Sequence, residues 1–582
     1  MKIMLRKLRK KTLLRRQLGC LVPILTLAFG ATAPALAATP DVGQAVNQIG
    51  GQVASSIKQQ QPPAQPKDNV SIEVKESQPE APKPAVGPKI KVNGFHITGQ
   101  NIYREEQLQA LVNDAVGQEL TIGELKDVAG RIAQYFRDHD FVVANVYIPA
   151  QALKDGIVEI AVMPGKYSGV DIRNHSRLTK GTADRFLRTI KTGDYVKRSQ
   201  LERTLLLLSD TAGISIKAVL TPGQDPGTTQ LVVDIYNAAR VSGYISANNF
   251  GNHYTGSNQR NLNLSLNDLS GRGDVLSVSG GDTCSGMENY SLDYMVPYGS
   301  RGWRLGVNYS HQNYTLNDQY GPLEANGMNQ TFGIYAQYPI VRSRNYDLYG
   351  QIGLSRKQLV DDIDAFDSSN RRRANLVTLG LNGAKRDSRS VNSFALNIEN
   401  GRLGFTGGRD VLGRPWEWDD AEGAQTGGRF TKANVYFNRL QYINKRLNFY
   451  FSFTGQLASR NLDSSEQLYL GGGNGVRAYG QGEASGDQGY LMTGELRYNL
   501  PIPNLQLAAF IDGGYVDGSK SGWAGGNTSR TLSGAGLGLI LNNTRNKYSI
   551  RVDYAWKLSS SEDTSETPNK HGRWWLTGIR YL

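Results

Sequence analysis

The segment Gly489–Val516, GYLMTGELRYNLPIPNLQLAAFIDGGYV, decides the fold. In its first half Tyr490, Met492, Gly494, Leu496 and Tyr498 fall on one face, and Thr493, Glu495, Arg497 and Asn499 on the other. That is the two-residue period of a β-strand. The tight turn around Pro501 and Pro503 follows. Then Leu505, Leu507, Ala509 and Ile511 alternate with Gln506, Ala508, Phe510 and Asp512. Each strand has one apolar and one polar face, and the polar faces set Glu495 and Asp512 on neighbouring strands.

The same alternation fills residues 241–582. Leu262, Leu264 and Leu266 alternate with Asn and Ser; Trp303, Leu305, Val307 and Tyr309 alternate with Arg304, Gly306, Asn308 and Ser310. Phe449, Phe451 and Phe453 oppose Ser452 and Thr454, and Ile550, Val552 and Tyr554 oppose Arg551 and Asp553. A soluble sandwich packs such apolar faces together, whereas a membrane barrel turns them to lipid. Short turns alternating with long polar loops such as GFTGGRDVLGRPWEWDDAEGAQTGG, aromatic residues near strand ends and an export signal favour the barrel. The length suffices for about sixteen strands. Closure is required, because lipid satisfies no open strand edge.

Residues 89–238 have a different texture. Strand, helix, helix, strand, strand is the predicted order over 89–165, and 166–238 repeats it. Helices are predicted over REEQLQALVNDAVG, TIGELKDVAGRIAQYFRDHD, KGTADRFLRTIK and KRSQLERTLLLLSDTAG. Two such units form an internal α+β repeat.

The first 37 residues read as a secretory signal: a basic block from Lys2 to Arg16, an apolar stretch from Leu21 to Ala31, and the small-residue site Ala35-Leu36-Ala37. Without those eight cations the net charge of +13 becomes +5, which removes the main argument for nucleic-acid binding. Residues 38–58 carry an amphipathic helical pattern (Val42, Ala45, Val46, Ile49, Val53), read either as a docking helix or as a frayed end. Residues 59–88, rich in Pro and Gln, read as a flexible, partly polyproline linker.

Enzyme chemistry finds no foothold. His96, His139, His175, His253, His311 and His571 are dispersed without metal-ligand spacing. After cleavage Cys284 stands alone. The glycine-dense stretch Gly471–Gly480, GGGNGVRAYG, lacks the Lys-Ser/Thr ending and following helix of a phosphate loop. No nucleotide, metal or other cofactor is expected. Spacing leaves two readings of this loop: it folds inward so that Arg477 reaches Asp512, or it is a solvated external loop.

Several motifs, in order, resemble the outer-membrane transporters of two-partner secretion (TpsB type, the haemolysin/haemagglutinin exoprotein secretion/activation proteins of the POTRA-barrel superfamily). VRAYG (Val476, Arg477, Tyr479, Gly480) is similar to the Val-Arg-Gly-Tyr/Phe signature of the sixth extracellular loop, and FIDGG (Phe510, Asp512, Gly514) to the Phe-x-Asp-x-Gly strand signature. NNFGNHYTG from Asn248 resembles the barrel's start, MVPYG from Met295 a strand end, and YIPAQALKDGIVEIAVMPGK and LERTLLLLSDTAG the POTRA domains. The resemblance implies a mainly β fold: a C-terminal 16-stranded antiparallel transmembrane β-barrel, two α+β POTRA domains (89–165 and 166–238) and an N-terminal plug helix. It implies an outer-membrane pore that carries a large unfolded exoprotein from periplasm to surface, with POTRA sheet edges binding its N-terminal secretion domain. The implied tether is Val476, Arg477, Tyr479 and Gly480, with Asp512, Phe510, Gly514 and Glu495 as lumen partners. Other implied partners are outer-membrane lipid and, during biogenesis, the barrel-assembly machinery and periplasmic chaperones. An outer-membrane assembly/insertion factor is the alternative; two POTRA units count against it. Ala478 stands where the signature has Gly, and is expected to strain the loop if that position needs a positive φ.

Overall fold

The structure is a computed structural model that describes residues 70–74 (backbone), 89–152, 155–523, 528–559, 563 and 571–582. The predicted signal peptide (1–37) and plug helix (38–58) lie outside the described residues.

The first α+β domain contains β2 (Ile90–Lys91), β3 (Gly94–Thr98), β4 (Glu119–Leu120), β5 (Ala144–Tyr147) and β6 (Ile157–Pro164), with helices α1 (Glu105–Gln109) and α2 (Ile122–Asp138). Its sheet has the order β3-β6-β5. α2 starts at a capping box: Thr121 Oγ1 accepts from Glu124 N, and Glu124 accepts from Thr121 N. Leu125, Val128, Ile132 and Phe136 then form one buried stripe against Phe95, Val158 and Ile160. The helix predicted over 104–117 is much shorter. After Gln109 the chain tightens into turns that still bury Val112 and Ala115, and it leaves through Gly117 at φ +86°.

The second domain has β7 (Lys166–His175), α3 (Lys180–Leu187), α4 (Arg198–Ser209), β8 (Ile214–Pro222) and β9 (Thr228–Asn237). Its sheet has a fourth strand from the linker. β1 (Val70–Val74) pairs in parallel with β8, from Val70↔Ile216 to Val74↔Leu220, giving the order β1-β8-β9-β7. The linker reading of 59–88 as flexible chain therefore fails for these residues. VSIEV alternates β-branched residues with polar ones, a strand signal hidden in a Pro/Gln background.

Sixteen strands then close an antiparallel barrel. They are β10 (Val241–Asn248), β11 (Gln259–Asn267), β12 (Val275–Asp282), β13 (Met287–Tyr298), β14 (Trp303–Thr315), β15 (Ala325–Arg342), β16 (Tyr346–Ile363) and β17 (Ser368–Arg386). β18 (Ser390–Arg409), β19 (Gly428–Tyr442) and β20 (Leu447–Ala458) follow. The short hairpin β21 (Leu468–Leu470) and β22 (Ala484–Gly486) interrupts the wall. It resumes with β23 (Gln488–Asn499), β24 (Leu505–Asp517), β25 (Arg530–Asn543), β26 (Tyr548–Lys557) and β27 (Arg573–Tyr581). β27 pairs with β10 over Tyr244↔Tyr581 to Asn248↔Thr577 and removes the free edges. The outer face is apolar: Val307, Phe332, Ile334, Leu354, Leu379, Ile511 and Leu537 all point outward and exposed. Tyr298, Trp303, Tyr442 and Tyr498 ring one rim, and Tyr490, Trp556 and Trp574 the other, as interfacial girdles do. The long 410–427 loop holds a helix the sequence reading missed, α5 (Trp416–Glu422). Pro415 precedes it, and Glu417 and Asp419 lie in its first turn, both N-terminal signals.

The second domain is bolted to the barrel's turns. Asp210, capping α4, accepts two bonds from Arg342 at 2.7 and 2.8 Å and one from Tyr349 at 3.3 Å, and Arg203 donates to Pro339 O at 2.6 Å. A bidentate, half-buried pair of this kind fixes orientation as well as energy. Asp210→Ala is expected to broaden the electron–electron distance distribution between spin labels on Lys217 and Ser388 without changing barrel assembly; an unchanged distribution would place the restraint elsewhere.

Candidate functional site

Strands β20 and β23 are joined by residues 459–487, the sixth loop on the face opposite the two α+β domains. The loop folds into the barrel. β21 pairs with β22 from Leu468↔Gly486 to Leu470↔Ala484, and Leu468, Leu470, Val476, Ala478, Tyr479 and Ala484 bury themselves against the wall residues Leu491, Phe510, Val516, Leu532 and Ala555. Gly471 and Gly472, at φ +89° and +99°, turn the chain so that Arg477 points inward.

Arg477 is 4% exposed. Its Nε and Nη2 each lie 2.8 Å from an oxygen of Asp512, and its backbone N–H donates to the same carboxylate at 3.1 Å. Nη1 donates to Glu495 and to Asp553, both at 3.1 Å. The guanidinium plane lies 3.3 Å from the Phe510 ring centroid. These carboxylates have further partners: Arg551 donates to Glu495 at 2.7 Å and to Asp553 at 2.8 Å, Arg497 to Glu495 at 2.6 Å, and Thr493 Oγ1 to Asp512 at 2.9 Å. Trp575 Nε1 donates to the Arg477 carbonyl at 2.6 Å, and Tyr479 Oη bonds Ser559 Oγ at 2.6 Å under the Lys557 ammonium. Three guanidiniums thus face three carboxylates, which is what a set of buried charges needs.

The register explains the convergence. Thr493↔Asp512 and Glu495↔Phe510 are direct pairs of β23 and β24, and Asp553 pairs with Gly538 across β25 and β26. On β25 the lumen side is bare at three alternate positions: Gly534, Gly536 and Gly538. A Cβ there would sit 2.5 Å from the Ala478 Cβ, 2.2 Å from the Phe510 ring and 2.1 Å from Asp553 Oδ1 respectively. On β24, a Cβ at Gly514 would sit 2.9 Å from the Leu470 side chain. The wall is hollowed where the loop docks.

Of the residues singled out from sequence, the structure brings Arg477, Asp512, Phe510 and Glu495 into one contact set. It buries Val476 and Tyr479 beside them and sets Gly514 under Leu470; Gly480 lies in the same loop, its carbonyl facing Gly471. In the structure the loop lies inside the barrel and not in solvent. The strain expected at Ala478 is absent: its φ is not positive, and its methyl fits the space left by Gly534. Sequence reasoning missed three things. Asp553 and Arg551 were placed on the polar face of their strand but not joined to Arg477. The every-second-residue glycines in SGAGLG were a signal left unread. A second anchor also went unseen. Asp463 and Glu466, on the loop's entering limb, pair with wall cations: Arg372 bridges Asp463 and Asp361, and Lys432 Nζ lies 2.6 Å from Glu466 with Lys357 on its other oxygen.

Residues 227–541 match the family "Haemolysin secretion/activation protein ShlB/FhaC/HecB", and residues 90–165 match its ShlB-type POTRA domain. The chain belongs to that family. It is 27% identical to the heme/hemopexin transporter protein HuxB of Haemophilus influenzae over 82% of this chain and 84% of HuxB. It is 20% identical to the outer membrane transporter CdiB of Dickeya dadantii over 94% and 96%. The fold matches CdiB from Escherichia coli with a TM-score of 0.65 and 20% identity, over 94% of this chain and 99% of that one. BamA of Haemophilus ducreyi lacking POTRA domains 1-3 shares the fold alone (TM-score 0.52, 14% identity, 84% of this chain and 100% of that one). The protein is an outer-membrane transporter of two-partner secretion, with its POTRA domains on the periplasmic side.

Two variants test the docking. Arg477→Ala and Asp512→Ala should each destabilise the inward loop by roughly 3–5 kcal/mol, since each strands a buried charge. The double variant should lose far less than the sum; strictly additive losses would contradict a direct pair. Gly534→Ala should displace the loop and raise pore conductance in planar bilayers, and adding Ala478→Gly should restore the low conductance. A double variant as leaky as the single would remove the methyl contact from the account.

Proposed function

We propose that the pore carries one large, unfolded exoprotein of the adhesin or haemolysin type from periplasm to cell surface. The POTRA domains capture its N-terminal secretion domain, and the tethered sixth loop shapes the conduit. The observation that carries this reading is the inward loop, held inside a closed barrel by Arg477 at one anchor and by Asp463 and Glu466 at the other. A lumen cavity of ≈ 470 Å³ on the other side of the loop is lined mainly by hydroxyl and amide side chains such as Ser279, Asn308, Thr331, Gln351, Thr378 and Asn434. Such groups exchange hydrogen bonds with a passing backbone without holding it as fixed charges would. The cargo's own strand is proposed to add to an edge of the first POTRA sheet, β5 or β3. β5 exposes Tyr147.

In this reading no bond is made or broken, no nucleotide, metal or cofactor is used, and nucleic acid is not a partner. Outer-membrane lipid covers the apolar face; periplasmic chaperones and the barrel-assembly machinery deliver the chain. Among the relatives compared, transporters outweigh the assembly-factor alternative: HpmB of Proteus mirabilis, 22% identical over 75% of this chain and 78% of its own, is itself a hemolysin transporter protein.

Deleting residues 89–165 should leave a heat-modifiable barrel in the outer membrane but abolish surface delivery of the partner exoprotein, read by immunoblot of intact cells and culture medium. Delivery at the normal level would sink the capture role.

A further inference from the structure

The apolar belt of the barrel ends in two different ways at its outer rim. On β23, β26 and β27 the rim carries Tyr490, Trp556 and Trp574, an aromatic girdle. On β16–β19 it carries arginines. Alternation along the strands fixes their direction. Lys357 and Arg372 point into the lumen, where they hold Glu466 and Asp463 of the sixth loop. Arg356, Arg371 and Arg373, beside them in sequence, therefore point outward. Leu403 and Lys432 are buried on the lumen side, which sends Arg402 and Arg429 outward by the same rule. Arg356, Arg371, Arg402 and Arg429 are exposed, and Arg373 is half-buried. On each strand they stand beyond the last exposed aliphatic side chain: Leu354 on β16, Val377 on β17, Ile398 on β18 and Val435 on β19.

The register gathers these cations into one patch. Arg356 lies opposite Asn375, Asn375 opposite Arg402, and Arg402 opposite Arg429. At the usual strand spacing that row puts three guanidiniums within about 14 Å. Arg373 stands two residues farther out on β17, opposite Gln358. Like charges directly opposite each other on a strand pair repel. The protein does not offset them. Among the described residues the guanidiniums of Arg356, Arg373, Arg402 and Arg429 have no ion pair and no hydrogen bond, and that of Arg371 donates only to Ser369 Oγ at 3.3 Å. The outward carboxylate of these strand ends, Asp362, lies opposite Ser369, farther out than Arg371, and forms no ion pair among the described residues.

The position of the patch selects its occupant. It lies where the aliphatic surface stops, so the groups that meet it are lipid headgroups. It lies at the strand ends away from the POTRA domains, so the leaflet is the outer one. A neutral headgroup leaves the row unpaired. One phosphate pairs one or two guanidiniums, whereas a row across four strands suits a headgroup with a phosphate at each end. Every cation of the patch is an arginine, and the planar fork of a guanidinium matches phosphate oxygens two at a time, as an ammonium does not. The outer leaflet of a Gram-negative outer membrane supplies such a headgroup in lipid A, the bis-phosphorylated disaccharide of lipopolysaccharide. We propose that the outward face of β16–β19 binds the lipid A headgroup through Arg356, Arg373, Arg402 and Arg429. Successive residues of β17 then serve opposite sides of the wall: Arg372 holds the second anchor of the sixth loop inside, and Arg373 holds lipid outside.

The test is native mass spectrometry of the full chain released from non-ionic detergent micelles, titrated with lipid. Diphosphoryl lipid A should form a saturable one-to-one complex. Lipid A stripped of both phosphates, and phosphatidylglycerol with its single phosphate, should each bind at least tenfold more weakly. The triple variant Arg356→Gln/Arg373→Gln/Arg402→Gln should lose at least tenfold in affinity for diphosphoryl lipid A. Arg439→Gln, at the opposite rim of β19, should bind it as the unaltered chain does. Heat-modifiable gel mobility shows that each barrel is folded. No saturable complex, equal binding of phosphate-free lipid A or of phosphatidylglycerol, an unchanged affinity of the triple variant, or an equal loss in Arg439→Gln would each overturn the proposal. The titration does not involve export, so its failure is separate from failure of the secretion role.

Discussion

A guanidinium placed beyond the reach of water must be neutralised where it stands, and the docking of the sixth loop follows from that constraint. Arg477 carries a charge whose desolvation costs several kcal/mol. Asp512 alone would offset it but would leave Glu495 and Asp553 facing each other nearby. Arg551 bridges those two carboxylates and Arg497 adds a second cation on Glu495. The cluster spans β23, β24, β26 and the loop, so it exists only when the strands hold one register. A slip of one residue would turn Asp512 outward to lipid and Ile511 inward. Loop docking therefore depends on the strand register that the closed barrel sets.

Charge alone does not hold the loop. Fixing a backbone costs on the order of 1–2 kcal/mol per residue. A buried ion-pair network worth a few kcal/mol compensates for only a few residues of segment 459–487. The rest comes from apolar burial of Leu470, Val476 and Tyr479, the β21–β22 ladder and the second anchor. The two anchors have opposite polarity. At one, the loop supplies a cation to carboxylates of the wall; at the other, it supplies Asp463 and Glu466 to wall cations Arg372, Lys357 and Lys432. Opposed polarity specifies orientation, because a reversed loop would set like charges together. The glycine face of β25 adds shape to charge, since only a strand stripped of Cβ atoms admits Ala478, Phe510 and Asp553 at these distances.

Much of this was legible along the chain. Alternation gave the lipid and lumen faces of β23 and β24, including the inward direction of Glu495 and Asp512, because side-chain direction in a strand is a local property. The repeat order of the two α+β units was legible for the same reason. What was not legible depends on distance around the barrel. Asp553 and Arg372 were visibly polar-face residues, but only the stagger between non-neighbouring strands says which of them meet Arg477 and which meet Asp463. Helix α1 fell short of its predicted length because Val112 and Ala115 reach the core through turns, a packing result that periodicity does not separate from a helix. Ala478 was expected to strain the loop on the premise that glycine there serves a positive φ. The constraint is instead steric, and its other half, Gly534, lies far away in sequence.

Strand β1 adds a consequence for capture by strand addition. An edge strand offers unpaired backbone groups, and any free edge of a POTRA sheet is open to another chain. On the second domain the β8 edge is already taken by the chain's own linker, with five residues in a parallel ladder. A cargo strand adding there would first have to displace that ladder and bear its loss. In the first domain the β3 edge is capped by side chains, Glu105 accepting from Ile97 N–H and Gln109 donating to Phe95 O, and no strand covers the β5 edge among the described residues. The two repeats, alike in order and core, are thus unequal as receivers. The inequality arises from five residues, Val70–Val74, in a segment whose composition hides a strand.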